Sequence, residues 1–495
     1  MRCLSYGGVI NPDHLKDTTS AITTYISQVF GWYYLITIML FLAFCIYLIF
    51  SRFGNIKLGK ENDTPDYNLS SWFAMLFSAG MGMGLVFWTT AEPISHAFKS
   101  TPGAEPGSEE AIKQALQYSF FHWGGIHAWA VYGVVALSLA YFKFRHDRPG
   151  LISATLVPIL GEKRMQGVLG KIIDILAIFA TVVGVASTLG FGSAQINGGL
   201  SYLFNTPPNT FSMQLLILAI STVLFILSAW SGIGRGIKYL SNINMGLGFL
   251  LLLLLFAVGP TLYILNMFTS TFGSYIANFF DMSFRISPLN EQGRTWIDNW
   301  TIFYWAWWIS WAPFVGIFIA RISKGRTIKE FMLGVLFVPA LVCFVFFAVF
   351  GVSALNIEQN GIDMISNYSL ETTTFGVLQH YPLGTLMSML TIVVIAIFFI
   401  TSADSATFVL GMLSTNGSIN PPSSIKIIWG GLAMSAMAAI IVYFGGTQGL
   451  QNMLIIAALP FSVIMILMIA SFYKMARLEV EKKKKPKDKK KNIST

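Results

Sequence analysis

Long apolar runs, separated by short polar or charged segments, recur along almost the whole 495-residue chain. A helix needs about 20 such residues to cross the hydrocarbon core of a bilayer. On that criterion the pattern predicts eleven spans, near 30–50, 71–91, 118–141, 171–200, 211–231, 237–265, 300–320, 331–355, 386–413, 425–445 and 452–474. Inside lipid no water meets the backbone, so each span must satisfy its own hydrogen bonds as a helix. The expected fold class is an all-α polytopic membrane protein. Residues 1–28 are polar, lack the apolar segment of a cleavable signal peptide, and read as an extracellular segment.

Charge orients the spans. Hydrophobic residues make up 54% of the chain and charged ones 11%, where soluble domains carry roughly 25% charged residues. The net charge of +9 does not point to nucleic acid, because the basic residues alternate between loops. All the lysines and arginines except Arg2, Lys16, Lys99, Lys113, Arg285 and Arg294 follow odd-numbered spans or lie in the tail. Acids such as Glu105, Glu110, Glu358 and Asp363 occupy the opposite loops. This positive-inside pattern puts the C-terminus in the cytoplasm and, with an odd span count, the N-terminus outside. The lysine-rich tail 475–495 helps fix that topology. Near a bilayer each lysine adds roughly 1 kcal/mol of attraction to anionic lipid. Of Cys3, Cys45 and Cys343, two lie in spans, which leaves no disulfide framework.

The densest chemistry lies in the seventh span, where Trp305, Trp307, Trp308 and Trp311 crowd together. At about 100° per residue, Trp300, Tyr304, Trp307, Trp311, Phe314 and Phe318 share one stripe, with Trp308 beside it. Leucine would serve as well against lipid. Aromatic faces attract cations that cannot donate hydrogen bonds, and cages of such rings bind quaternary ammonium groups. The alternative is bulky packing between helices.

Span two reads Gly80-Met-Gly82-Met-Gly84 in mid-membrane. Each glycine weakens a helix by about 1 kcal/mol relative to alanine and lets the backbone face a ligand. Gly80 and Gly84 also form a small-xxx-small pair suited to close packing, but Gly82 is superfluous to that. Span seven is expected to be disrupted at Pro313. Spans two to six and seven to eleven then form two sets of five, each opened by a disrupted helix. Sets of odd number joined end to end run in opposite topology, the pattern of transporters with a midplane site. The division is 1–28 outside, 29–70 a peripheral span and loop, 71–265 the first repeat, 266–299 an extracellular connector, 300–474 the second repeat and 475–495 the tail.

Thr401 and Ser402 place adjacent hydroxyls in span nine, which can serve a hard cation or bond back to their own helix. Asp404 lies within the same span and is either functional or a structural hydrogen-bonding group. His122 and His127 are five apart, do not share a helix face and have no evident third ligand, which argues against a metal centre. Glu92-Pro93 reads as the end of span two. No nucleophile–base pair suggests an enzyme.

Five segments together resemble the betaine–choline–carnitine transporter family. They are Ala79-Gly-Met-Gly-Met-Gly-Leu85, Phe120-Phe-His-Trp123, Tyr304-Trp-Ala-Trp-Trp-Ile-Ser-Trp311, Ala320-Arg-Ile-Ser-Lys-Gly-Arg326 and Thr401-Ser-Ala-Asp-Ser405. The resemblance implies a LeuT-type core of two inverted five-helix repeats, a homotrimer and a bacterial-type plasma membrane. It implies an ammonium cage of Trp123, Trp129, Tyr132 and Trp308, with Trp307 and Trp311 lining the route and Phe314 and Phe318 below. Gly80, Gly82 and Gly84 would present backbone to a carboxylate. It further implies sodium held by Thr401, Ser402 and the carbonyls of Phe398, Ser78 and Met81, with Thr181 in a second site. The implied function is sodium-coupled import of glycine betaine or a related trimethylammonium zwitterion for osmoprotection. A choline carrier or a sodium-independent carnitine exchanger is the alternative within the family. A non-transporting sensor of quaternary ammonium solutes is the alternative outside it.

The chain keeps Gly84, which choline carriers tend to replace with Asp, and this favours a zwitterion. It departs from the family in three places. Trp123 and Trp129 are six apart rather than five. In an unbroken helix the extra residue would turn Trp123 away from Tyr132 by about 100°, and Gly124-Gly125 offers a π-bulge to absorb it. Val185 occupies the partner position of Thr181, so a second sodium is in question. Family members have twelve spans, and the first has no counterpart among the eleven expected here.

Overall fold

The computed structural model describes residues 12–80, 83–231, 234–418 and 420–484. Among these the fold is all-α, with β structure limited to one bridge between Lys57 and Thr327. That bridge ties the loop after the first helix to the loop after the tryptophan-rich one, through Leu58 N–H to Arg326 O at 2.8 Å and Ile328 N–H to Ile56 O at 2.9 Å.

Ten helices among the described residues are long and apolar enough to cross a membrane, one fewer than the pattern predicts. The difference is span two. Its described parts are two 12-residue helices, α2 (Leu69–Gly80) and α3 (Met83–Ile94), on either side of residues 81 and 82. Met81 and Gly82, singled out from the sequence, lie outside the described residues.

One further expectation is corrected, and two segments gain structural detail. The helix α1 (Pro12–Phe50) begins within the segment assigned to 1–28. Its polar residues are held by the last helix: Thr23 donates to Asn452 O at 3.3 Å and Asn452 Nδ2 to Ser20 Oγ at 3.1 Å. The connector 266–299 is partly helical, because a helix over Thr261–Ala277 follows Pro260. Pro313 does not break span seven, which runs unbroken as a helix over Phe303–Ile322. Proline removes one ladder hydrogen bond, and packing on three sides holds the helix together.

The site lies among five elements. These are α4 (Ile126–Ala140), α5 (Val168–Phe204), α6 (Phe303–Ile322), α7 (Gly384–Ser414) and α8 (Ser435–Lys484). The helix α6 packs against α4, α5 and α8, and α5 also packs against α7 and α8. Among the spans, 94% of the apolar window of α6 is buried, against 22% for the peripheral helix Leu240–Val258. Tryptophan therefore concentrates on the helix that lipid does not reach. The helix α8 changes direction at Gly446, whose φ of 52° and ψ of −146° are non-helical.

Candidate solute-binding site

The extra residue between Trp123 and Trp129 is taken up by the backbone. Residues Phe120–Gly124 form a π-helical turn, Gly125 leaves helical geometry at φ −59° and ψ 135°, and α4 starts at Ile126. A π turn accommodates one inserted residue without rotating the helices on either side of it. Trp123 consequently keeps its place beside the tryptophans of α6. Its ring lies edge-on to Trp308 at 4.9 Å between centroids, and 5.8 Å from Trp307 and 5.6 Å from Tyr304. Tyr132 meets Trp308 at 6.2 Å and Trp129 at 5.7 Å. Four rings from two distant stretches of chain thus touch in series, and all are buried.

Trp307 stacks on Trp308 at 5.7 Å with a 12° tilt, and on Phe191 of α5 at 5.4 Å. Gly84 lies against the same rings. A Cβ there would stand 2.9 Å from Trp123 Cη2 and 3.2 Å from Trp307 Cη2, so no larger side chain fits without moving them. Gly80 ends α2 and Gly82 is undescribed, so Gly84 is the glycine of the motif that demonstrably borders the cage.

Toward the basic end of α6, Trp311 donates Nε1–H to the Gly184 carbonyl at 2.9 Å, and a Cβ on Gly184 would meet Trp311 Cδ1 at 2.8 Å. Phe314 contacts Trp311 at 5.6 Å, while Phe318 is half-buried. Arg321 closes the stripe with its guanidinium over Phe408 at 4.7 Å.

The hydroxyls expected to hold sodium behave differently. Thr401 donates to the carbonyl of Ile397 at 2.8 Å and lies 3.3 Å from that of Phe398. This is bonding back to its own helix. Ser402 is half-buried beside it. An apolar crevice lined by Leu85, Val86, Val394 and Phe398 joins α3 to α7, which brings the glycine-motif helix to this end of α7. Ser78 belongs to α2, its side chain undescribed, and Met81 is outside the described residues. Thr181 is buried and donates to Ala177 O at 2.8 Å, with Val185 also buried. Asp404 hydrogen-bonds Ser228, while its Oδ1 is buried without a hydrogen-bond partner among the described residues.

A third group escaped the sequence reading. Glu92 does not simply end a span. It is fully buried at the top of the cage and accepts four hydrogen bonds. His122 Nδ1 lies 2.7 Å and His96 Nε2 3.1 Å from Oε1; Trp123 Nε1 lies 3.0 Å and the Tyr304 hydroxyl 2.5 Å from Oε2. His127 goes elsewhere, to Ser283 Oγ at 2.9 Å. The third partner that His122 lacked in the sequence is therefore supplied by Glu92 and His96, within 4.8 Å of one another. An ionisable residue inside an apolar span was the available signal. Above this cluster Trp296 and Trp300 cap His96 at 5.0 and 4.4 Å. They separate it from a polar cleft of about 810 Å³ lined by Lys99, Ser100, Glu291, Trp296 and Asn299.

Residues 1–481 match the sequence profile of the betaine/carnitine/choline family of transporters. The chain is 56% identical over 481 residues to the glycine betaine transporter OpuD of Bacillus subtilis strain 168, a match covering 97% of this chain and 93% of that protein. It is 45% identical to an ectoine/hydroxyectoine transporter of Virgibacillus pantothenticus, over 90% of this chain and 88% of that one. A probable glycine betaine transporter of Desulfitobacterium hafniense strain Y51 is 41% identical over 95% of this chain and 94% of its own length. With a multi-pass helical fold, a buried aromatic cage and these relatives, the chain belongs to the betaine/carnitine/choline family and is a membrane transporter rather than an enzyme.

Proposed function

We propose that the protein is a sodium-coupled symporter importing glycine betaine or a closely related trimethylammonium zwitterion. The observation that carries this reading is the unbroken contact series Trp129–Tyr132–Trp308–Trp123. Its faces suit a methylated ammonium group, which offers no proton to a conventional acceptor. Gly84, tight against two of the rings, leaves no room for an acidic side chain in place, which favours a zwitterion over choline. A further reading, a cyclic zwitterion of the ectoine type, draws support from the 45% identical relative.

The rings of the cage touch one another, so solute enters by parting Trp123 from Trp308. Sodium is assigned to Thr401, Ser402 and the Phe398 carbonyl on α7, with the carbonyls of Ser78 and Met81 as the further ligands the family resemblance implies. An ion held there would join α7 to the glycine-motif helices. Coupling results if ion and solute each bind that joined arrangement better than the parted one. Alternating access would move one five-helix repeat (71–265) against the other (300–474) around the shared site. A cytoplasmic C-terminus, a plasma-membrane location, contact of the lysine tail with anionic lipid and a homotrimer belong to the same proposal.

Uptake of labelled glycine betaine into liposomes tests it, with an inward sodium gradient or potassium in its place. The expected result is sodium-dependent uptake, lost in Trp308→Leu and in Ser402→Ala. Uptake indifferent to sodium would replace symport by exchange. Preferential competition by ectoine would change the solute, and binding without uptake would make the protein a sensor.

A further inference from the structure

The hydrogen-bond pattern around Glu92 accommodates an ionised carboxylate. A carboxylate oxygen accepts, and an indole N–H only donates. Ionised, Glu92 can accept from all four groups that face it: His122 Nδ1–H, His96 Nε2–H, Trp123 Nε1–H and the Tyr304 hydroxyl. With its proton on Nδ1, neutral His122 presents Nε2 as an acceptor, and that atom faces the Thr301 hydroxyl at 3.0 Å, which can donate. His96 Nδ1 has no hydrogen-bond partner among the described residues. A proton there would be a buried donor left unmet among rings, whereas a neutral ring carries only a lone pair. All of these contacts are satisfied with Glu92 anionic and both histidines neutral, a state that carries one net negative charge in the interior.

That charge is connected to the cage. Trp123 gives its N–H to Glu92 Oε2 and presents its ring to Trp308 at 4.9 Å. A hydrogen bond to an ionised acceptor is strong and polarises the donor. Here it shifts electron density into the indole and makes its face more attractive to a cation. We infer that Glu92 is a specificity-determining residue: through Trp123 it charges the aromatic cage negatively, so that the site prefers a positive head group over a neutral one of the same shape. This rests on the solute-site reading above and adds to it a residue outside the cage.

The test compares glycine betaine with 3,3-dimethylbutanoate, in which a tert-butyl group replaces trimethylammonium. Binding of each is followed by the tryptophan fluorescence of the purified protein. Wild type should favour glycine betaine. Glu92→Gln should narrow the ratio of the two affinities about tenfold, or about 1.4 kcal/mol, chiefly by weakening glycine betaine. A variant that weakens both solutes equally would reduce Glu92 to a structural role and overturn the inference. If Glu92→Gln does not fold, Tyr304→Phe decides. It keeps the carboxylate and removes a donor that shields it, so the ratio should hold or widen, and a narrowed ratio would overturn the proposal. A wild-type protein that binds both solutes alike removes the cage reading itself, before any variant is made.

Discussion

The aromatic cage and the hydroxyl pair on α7 differ in where their partners come from. Trp123, Tyr132 and Trp308 meet across the boundary between two helices, so their geometry exists only in the assembled bundle. Thr401 and Thr181 bond to carbonyls four residues earlier on their own helices. A hydroxyl satisfied in this way reports nothing about its neighbours. The cage is therefore specified by packing, while a cation site on α7 needs oxygens that a second helix must bring to it.

Breaking the cage should have the largest effect. Trp308→Leu keeps bulk but removes an aromatic face in contact with Trp123 and Tyr132. A desolvated cation–π contact is worth about 2 kcal/mol, so glycine betaine affinity should fall about thirtyfold in equilibrium binding, and an unchanged affinity would remove Trp308 from the site. Gly84→Ala tests closeness rather than chemistry. Its methyl would stand 2.9 Å from Trp123 Cη2, and such overpacking costs about 1–3 kcal/mol. Tighter binding in that variant would contradict the predicted displacement of Trp123.

Two paired substitutions sharpen the contrast. Thr401→Val should raise the sodium concentration for half-maximal uptake about tenfold, equivalent to about 1.4 kcal/mol, with little change in solute affinity at saturating sodium. Thr181→Val should leave that sodium dependence unchanged within about twofold, because Val185 stands where a second hydroxyl would be needed; equal effects at the two positions would argue for a second coupled site. Among the cage substitutions the smallest effect is expected for Trp129→Phe. It retains a ring against Tyr132 at the end of the contact series, and binding should weaken only a few-fold, on the order of 0.5–1 kcal/mol.

The fold class was legible because lipid imposes one rule on every span. Ten of the expected spans correspond to continuous or nearly continuous apolar helices, and the eleventh to the pair α2 and α3 at the glycine motif. Pro313 misled, since a proline reads as a break from sequence alone while the helix around it continues. That the first helix continues back through residues 12–28 was not legible, because its polar residues pair with Asn452, more than 400 positions away.

Local spacing put Trp307 and Trp308 side by side and Tyr132 on one face with Trp129, contacts that the structure contains. The fate of Trp123 was undecidable from spacing, which allowed either exclusion or a bulge. Phe120–Gly124 resolved it as a π turn, stabilised where Trp123 and His122 both reach Glu92. Glu92 itself was passed over because its meaning depends on four groups from separate stretches of the chain.

The order of apolar runs and the alternation of charge by themselves determined a helical membrane protein, its expected orientation and the span richest in aromatic rings. Each depends on transfer of a local segment from water to lipid, which is additive along the chain. Only the tertiary structure decided which rings touch, that Gly84 abuts two tryptophans, and that a buried carboxylate stands behind the cage. Those depend on side-chain contacts between helices far apart in sequence, and no local period encodes them.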